Sequence, residues 1–322
     1  MYIHPETYTH TTASMDHIEA SKHSPARRKY TTLLSEFVYT IYLFIRSDIK
    51  TTLTPIVSTS SFISGCYSQL REKTVFGLVN APKPTLSRAF PVIFWVFLHL
   101  LQFDISNQYL PSSIIEDARN KPYRPIPSGH ITVKCATQLR WALVPLCLAL
   151  SSLYGTQVLY LSVICLCVTA VYNDLGGNAY WLTRDTLNGT SFAGLMAAAI
   201  LVVNPDHKLT NVNIAAVLIS AATFATTTFA QDFKDVIGDK LVNRSTIPIV
   251  FPQGFTRVIL AVLVLGWTTI FSTLWALPMV VKVIYFSLAI TLGFRFIFHR
   301  SPEEDKTSYY YFYNVSISPC FL

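Results

Sequence analysis

The sequence predicts an all-α integral membrane protein, a bundle of about eight or nine transmembrane helices, and three observations carry that expectation. Of its 322 residues 51% are hydrophobic and only 13% charged, and the mean hydropathy is +0.40, whereas a soluble domain of this length carries more surface charge. The apolar residues gather into stretches of about 17 to 22, the length a helix needs to cross the hydrocarbon. The charged residues fall in clusters between those stretches.

Residues 1–32 are polar, hold His4, His10, His17 and His23, and include the basic run Ala26-Arg27-Arg28-Lys29. They lack the apolar core of a secretory signal and read as a disordered cytosolic tail. Residues 33–322 read as one membrane domain. After an amphipathic stretch from Leu33 to Arg46, apolar runs centre on Ile56 to Cys66, Phe90 to Phe103, Trp141 to Tyr154, Val158 to Tyr172 and Phe192 to Val203. Further runs follow at Val212 to Phe229, Ile259 to Trp275 and Leu277 to Phe298, with a weaker aromatic one from Ser308 to Leu322.

If all nine cross, the linkers after the second, fourth, sixth and eighth spans share one side with the N-terminus. That side carries Arg27, Arg28, Lys29, Arg119, Lys121, Arg124, Arg184, Lys234, Lys240, Arg244, Arg300 and Lys306. Opposite lie Arg71, Lys73, Lys83, Arg88 and Lys208. The positive-inside rule then orients the richer side toward the cytosol. The pI of about 9.0 does not point to nucleic acid, because the basic residues are dispersed among these linkers, where anionic lipid attracts them. The six cysteines fall in or beside apolar stretches without metal-ligand spacing and read as small apolar residues.

Carboxylates are scarce, which makes two groups informative: Glu116 and Asp117 after the second span, and Asp232, Asp235 and Asp239 after the sixth. Linkers four spans apart lie on the same membrane face. On a helix the i, i+3 and i, i+4 spacings put Asp232, Asp235 and Asp239 on one side. A divalent cation bridging to phosphate oxygens relieves their repulsion, and magnesium commonly binds through one or two carboxylates plus substrate phosphates. A solvated interfacial helix paired with Lys234 and Lys240 is the alternative that the spacing leaves open.

The first group continues Asp117-Ala118-Arg119-Asn120-Lys121-Pro122-Tyr123-Arg124-Pro125-Ile126-Pro127-Ser128-Gly129. This resembles the UbiA superfamily of intramembrane prenyltransferases, whose first motif runs N-D-x-x-D-x-x-x-D-x-x-N-x-P-x-R-P-I-P-S-G and is matched throughout its second half. Asp235 and Asp239 match the paired aspartates of the second motif. The resemblance runs from about Ser47 onward and implies a UbiA-like bundle around a central cavity. It implies that both acidic segments, Glu116 and Asp117 with Asp232, Asp235 and Asp239, hold magnesium on a prenyl diphosphate. Asp117, Asp235 and Asp239 are then the catalytic group, and Asn120, Arg124, Lys240 and Arg244 contact substrate, with Arg119 and Lys121 as further cations.

The chain also departs from that pattern. Counting back from Asp117, the earlier aspartates of the motif fall on Ser113 and Leu110 and its asparagine on Tyr109, so Glu116 and Asn107 are the substitutes. Many members carry Y-x-x-x-K after the fourth span. Here Tyr172-Asn173-Asp174-Leu175-Gly176 has glycine in the lysine position, with Asn173, Asp174, Arg184 and Asn188 as added polar groups. Both departures are similar to a divergent fungal branch that includes a membrane-bound terpene cyclase. The resemblance therefore implies ionisation of farnesyl diphosphate and cyclisation of the carbocation to a sesquiterpene in secondary metabolism, in the endoplasmic reticulum membrane with the site facing the cytosol. A prenyltransferase with a separate acceptor is the second reading, and an ion-binding transporter the third. Glycosylation patterns at Asn188 and Asn243 lie on the expected cytosolic side and are expected to stay unmodified.

Overall fold

The computed structural model describes residues 30–58, 60, 86–204, 206–275 and 277–317. Most of the polar tail, the second half of the run at Ile56 to Cys66, the basic linker to residue 85 and the last five residues lie outside that set. The chain forms two units, Met1–Tyr39 and Thr40–Leu322. Of the first, residues 30–39 are described and open α1 (Tyr30–Ile45). The larger unit contains the end of α1, a π-helical turn Ile49–Leu53, and α2 (Leu86–Gln108), α3 (Pro111–Asn120), α4 (Val133–Ser152) and α5 (Thr156–Asn173). It continues with α6 (Trp181–Val203), α7 (Asn211–Thr227), α8 (Asp232–Leu241), α9 (Gln253–Leu274), α10 (Met279–Phe298) and the short α11 (Pro302–Thr307).

Seven helical segments among the described residues are long and apolar enough to cross a membrane: six correspond to α2, α4, α5, α6, α9 and α10, and one, Asn211–Leu241, joins α7 to α8. The expected count of eight or nine is roughly matched. The two remaining runs fall on partly described segments; of Ser308 to Leu322, the described part folds as a π-helical turn Ser308–Tyr313 and a last turn Asn314–Ile317.

Local chemistry sets the helix ends. Thr132 and Thr210 each accept a backbone hydrogen bond, from Cys135 N and Asn213 N at 3.2 Å, and so start α4 and α7. Pro111 opens α3 where its missing N–H costs nothing. Asn243 ends α8 in the left-handed region (φ 54°), so that Arg244 N donates to Asp239 O at 3.0 Å and Asn243 N to Lys240 O at 3.3 Å. That six-to-one and five-to-two closure folds Arg244 back toward the acidic residues of α8.

α6 occupies the middle of the bundle. Every residue from Leu195 to Val203 is buried, as for a helix surrounded on all sides. The outer helices instead expose large apolar side chains, among them Trp141, Tyr160, Val262 and Phe294, as lipid contact requires. The linkers after α2, α5, α8 and α10 gather at one end of the bundle. Tyr109 hydroxyl donates to Asp174 at 2.7 Å, and Trp181 N donates to Ser245 O at 2.9 Å while Ser245 N donates to Ala179 O at 2.8 Å. The shared face inferred from span parity is thus a physical surface held by cross-linker hydrogen bonds.

Candidate functional site

At that end a cavity opens, with about 990 Å³ of empty volume including its mouth. Of the two neighbouring acids in α3, Glu116 lines the cavity wall and Asp117 does not. Both are buried, but successive helical positions point about 100° apart. Asp117 is engaged by Arg124 Nη1 at 2.6 and 2.8 Å, which locks the R-P-I-P segment against α3. Glu116 pairs with Arg244, and Lys121 Nζ stands 3.9 Å away. Burial alone would raise the Glu116 carboxyl; Lys121 and Arg244 outweigh it and hold the group below the usual carboxylate range.

From α8, Asp235 reaches the cavity wall, paired with Lys234 and 3.5 Å from Lys121. Asp232 and Asp239 are fully buried, Asp232 held by Arg184 at 3.0 Å and Asp239 by Arg244 at 3.2 Å. One oxygen of each, Asp232 Oδ2 and Asp239 Oδ2, has no hydrogen-bond partner. Lys121 also sits between the two acidic segments, and Asp235 is the main reason its ammonium is held above the ordinary lysine value despite burial. Among the described residues no three carboxylate, histidine or cysteine side chains converge on a single point.

Asn120 joins the two acidic helices. Its side chain donates to Asp235 O at 3.3 Å and packs on Gly238, where a Cβ would lie 2.2 Å from Asn120 Nδ2. Gly238→Ala should therefore displace Asn120, costing about 1 kcal/mol through the lost hydrogen bond. In an Asn120→Ala background the same change should be neutral or stabilising by up to about 1 kcal/mol, because alanine is the better helix former. Thermal inactivation of the single and double variants in detergent reads both signs.

Other expected residues divide. Asn107, Arg124, Tyr172 and Arg244 line the cavity. Lys240 and Arg119 are exposed and off its wall. Asn173 is buried with neither side-chain amide atom partnered, and it too is off the wall. Asp174 pairs with Arg140 and Tyr109 off the cavity wall, and Arg184 holds Asp232. Of the aromatic residues, Phe103, Tyr172, Phe192 and Phe224 line the cavity, whereas Trp95 and Phe229 pack in the cores and Phe94 is exposed. Asn188, in one glycosylation pattern, is on the cavity wall.

Several wall residues escaped sequence reasoning. Tyr309 and Tyr310 belong to a run read as a weak span, yet the π-helical turn brings both to the cavity, where Lys234 lies 5.0 and 5.7 Å from their ring centroids. The tyrosine run itself was the signal. Asp48 also lines the wall, its Oδ1 accepting from Thr51 at 3.0 Å. Nothing in its local sequence singled it out.

The cavity thus has two ends. Five basic groups, Lys121, Arg124, Arg184, Lys234 and Arg244, surround Glu116 and Asp235 at one; the remainder mixes hydroxyl and amide side chains and Asp48 with an apolar and aromatic set, Leu100, Phe103, Tyr172, Phe192, Leu195 and Phe224. Such a head can grip a polyanion, and such a body can shelter a hydrocarbon.

Known proteins share this architecture. The UbiA prenyltransferase family matches residues 74–316. Fumagillin beta-trans-bergamotene synthase of Aspergillus fumigatus is 28% identical over 273 residues, covering 85% of this chain and 87% of that protein. A polyprenyl transferase of Hericium erinaceus is also 28% identical, over 236 residues, 73% of this chain and 80% of its own. The solved structure of a UbiA homologue from Archaeoglobus fulgidus bound to GPP and Mg2+ superposes with a TM-score of 0.58 at 14% identity, covering 88% of this chain and 98% of that one. With three quarters of its length matched around the two-ended cavity, this chain belongs to the UbiA prenyltransferase family.

Proposed function

We propose that this protein is a magnesium-dependent terpene cyclase that ionises farnesyl diphosphate and closes the carbocation to a sesquiterpene such as beta-trans-bergamotene in secondary metabolism. The observation that carries the reading is one cavity that brings five cations, Glu116 and Asp235 together with an aromatic group, Phe103, Tyr172, Phe192 and Phe224. Similarity to the Aspergillus fumigatus synthase favours cyclisation, while the altered first and third motifs count against an ordinary transferase.

The donor set fits magnesium. Glu116 and Asp235 offer one carboxylate each from the two acidic segments, and Asp232 and Asp239 each keep one oxygen without a hydrogen-bond partner. Two wall carboxylates would suit magnesium, which commonly binds through one or two carboxylates together with substrate phosphates. Magnesium bound there supplies Lewis-acid neutralisation of the leaving diphosphate. Asp117 supports the set through Arg124.

The protein's own groups do the rest. Arg124, Arg184 and Arg244 present planar donor forks to phosphate oxygens, and Lys121 and Lys234 add point charges. When the allylic carbon–oxygen bond breaks, its electron pair leaves with oxygen, and these cations stabilise the charge that builds there. The carbocation is left beside Phe103 and Tyr172, whose ring faces stabilise positive charge and whose packing excludes water. Ring closure uses the chain's own double-bond electrons, and loss of a proton to the departed diphosphate ends the sequence.

The second reading, transfer of the prenyl group to an aromatic or other small acceptor, shares the ionisation step and is favoured by the Hericium erinaceus relative. A transporter is disfavoured because the carboxylates cluster at one end of the bundle rather than along a path through it. The site faces the cytosol from the endoplasmic reticulum membrane, with residues 1–32 as a cytosolic tail and 33–322 as the catalytic domain.

Microsomes given farnesyl diphosphate and magnesium without acceptor should yield a cyclic hydrocarbon by gas chromatography and mass spectrometry. Product only on addition of an acceptor would move the assignment to a transferase. Exhaustive chelation is expected to stop turnover and added magnesium to restore it; turnover indifferent to chelation would exclude the metal mechanism.

A further inference from the structure

Three helical segments give the cavity a common depth axis. Each runs from charged or polar residues to apolar ones: Asn107 then Phe103 and Leu100 on α2, Arg184, Asn188 and Ser191 then Phe192 and Leu195 on α6, Asp235, Gln231 and Thr228 then Phe224 from α8 to α7. At about 1.5 Å per residue, Phe192 lies about 12 Å along α6 from Arg184. There its ring and that of Phe224 stack, with centroids 4.7 Å apart and planes 18° from parallel.

A close helix crossing makes that stack possible. A Cβ on Gly189 would stand 2.6 Å from Ala225 Cβ and 3.0 Å from Ala221 O, so α6 and α7 meet backbone to backbone one turn from the pair. Small residues at such crossings are how membrane helices approach closely. Beyond the rings the wall is completed by Leu195 and Leu100. Trp95, Val96, Met196, Ala199 and Ile200 are each 0% exposed and form one packed cluster with Phe192 and Leu195.

We infer that the stacked Phe192–Phe224 pair, with Leu195 beside it, is the floor that closes the deep end of the prenyl channel and excludes isoprenoids longer than the 15-carbon chain of the proposed substrate. This inference rests on the cavity being a prenyl diphosphate site. The pair touches only the hydrocarbon tail, so it sets specificity and takes no part in breaking the carbon–oxygen bond.

The test measures diphosphate release from geranyl, farnesyl and geranylgeranyl diphosphates in membranes carrying the wild type, Phe192→Ala, Phe224→Ala or Leu195→Phe. For each alanine variant the ratio of kcat/KM for farnesyl over geranylgeranyl diphosphate is expected to fall about 10-fold or more, the scale on which an apolar pocket discriminates size. Leu195→Phe, which raises the floor, is expected to shift preference toward geranyl diphosphate. An unchanged ratio in an alanine variant that still releases diphosphate from farnesyl diphosphate overturns the floor, as does a wild type that prefers the 20-carbon substrate. If both alanine variants are inactive on every substrate, Leu195→Phe decides, and an unaltered preference overturns the inference. A wild type that releases diphosphate from none of the three removes the prenyl diphosphate reading itself.

Discussion

Asp235→Ala and Asp235→Asn are each expected to lower diphosphate release by about 100- to 1,000-fold, a loss of about 3 to 4 kcal/mol of transition-state stabilisation. Asp235 is the α8 carboxylate that reaches the cavity wall, and it lies between Lys234 and Lys121. Asparagine keeps the shape and removes the charge, so equal losses in both variants assign the effect to the carboxylate. Folding should survive, because Lys121 retains Glu116 at 3.9 Å and Lys234 retains the faces of Tyr309 and Tyr310. Turnover in the asparagine variant within tenfold of wild type, with unchanged magnesium dependence, would remove Asp235 from the metal site. Asp239→Ala should also be severe, partly by a second route: it frees Arg244, which orients Glu116.

The largest effect on stability is expected at Arg257→Ala. Arg257 and Asp305 are each 1% exposed and joined by two hydrogen bonds of 2.6 Å, and Arg257 also donates to Phe296 O at 2.9 Å. One side chain therefore ties α9 to the end of α10 and to α11. Removing it strands a buried carboxylate, a change that costs about 3 to 5 kcal/mol. For a chain of this size that lowers the midpoint of thermal inactivation by on the order of 10 °C. Replacing both partners with leucine should recover most of the loss, since the penalty comes from the uncompensated charge. Arg257 also lies 4.2 Å from the Phe233 ring centroid, next to Asp232, so the single variant should lose activity below its inactivation temperature as well. A single variant as stable as wild type would mean that water reaches Asp305.

How far the site could be read from the chain differs residue by residue. The helical spacing of Asp232, Asp235 and Asp239 placed them on one face, and in α8 all three are buried, Asp235 alone reaching the cavity wall. Glu116 and Asp117 could not be ranked the same way. They are neighbours on one turn, and which of them faces the cavity depends on how α3 seats against α8, a seating set by Asn120 over Gly238 and by the hold of Arg124 on Asp117. Lys240 follows Asp239 directly and looked like a substrate contact, yet rotation about α8 leaves it exposed. Tyr309 and Tyr310 are 70 and 71 residues from the nearest acidic residue of α8 and reach the cavity only through the fold of the C-terminal segment.

Apolar run lengths, span parity and the paired acidic segments were enough by themselves to define a membrane-spanning helical bundle with its charged chemistry at one end, because hydrophobic thickness and helical period are properties of the chain alone. Which carboxylates line the cavity, how five cations are shared among them, and where the hydrocarbon must stop were decided only by tertiary structure. Those outcomes depend on helix rotation and crossing, and these follow from contacts such as Gly189 against Ala225 that join residues far apart in the chain.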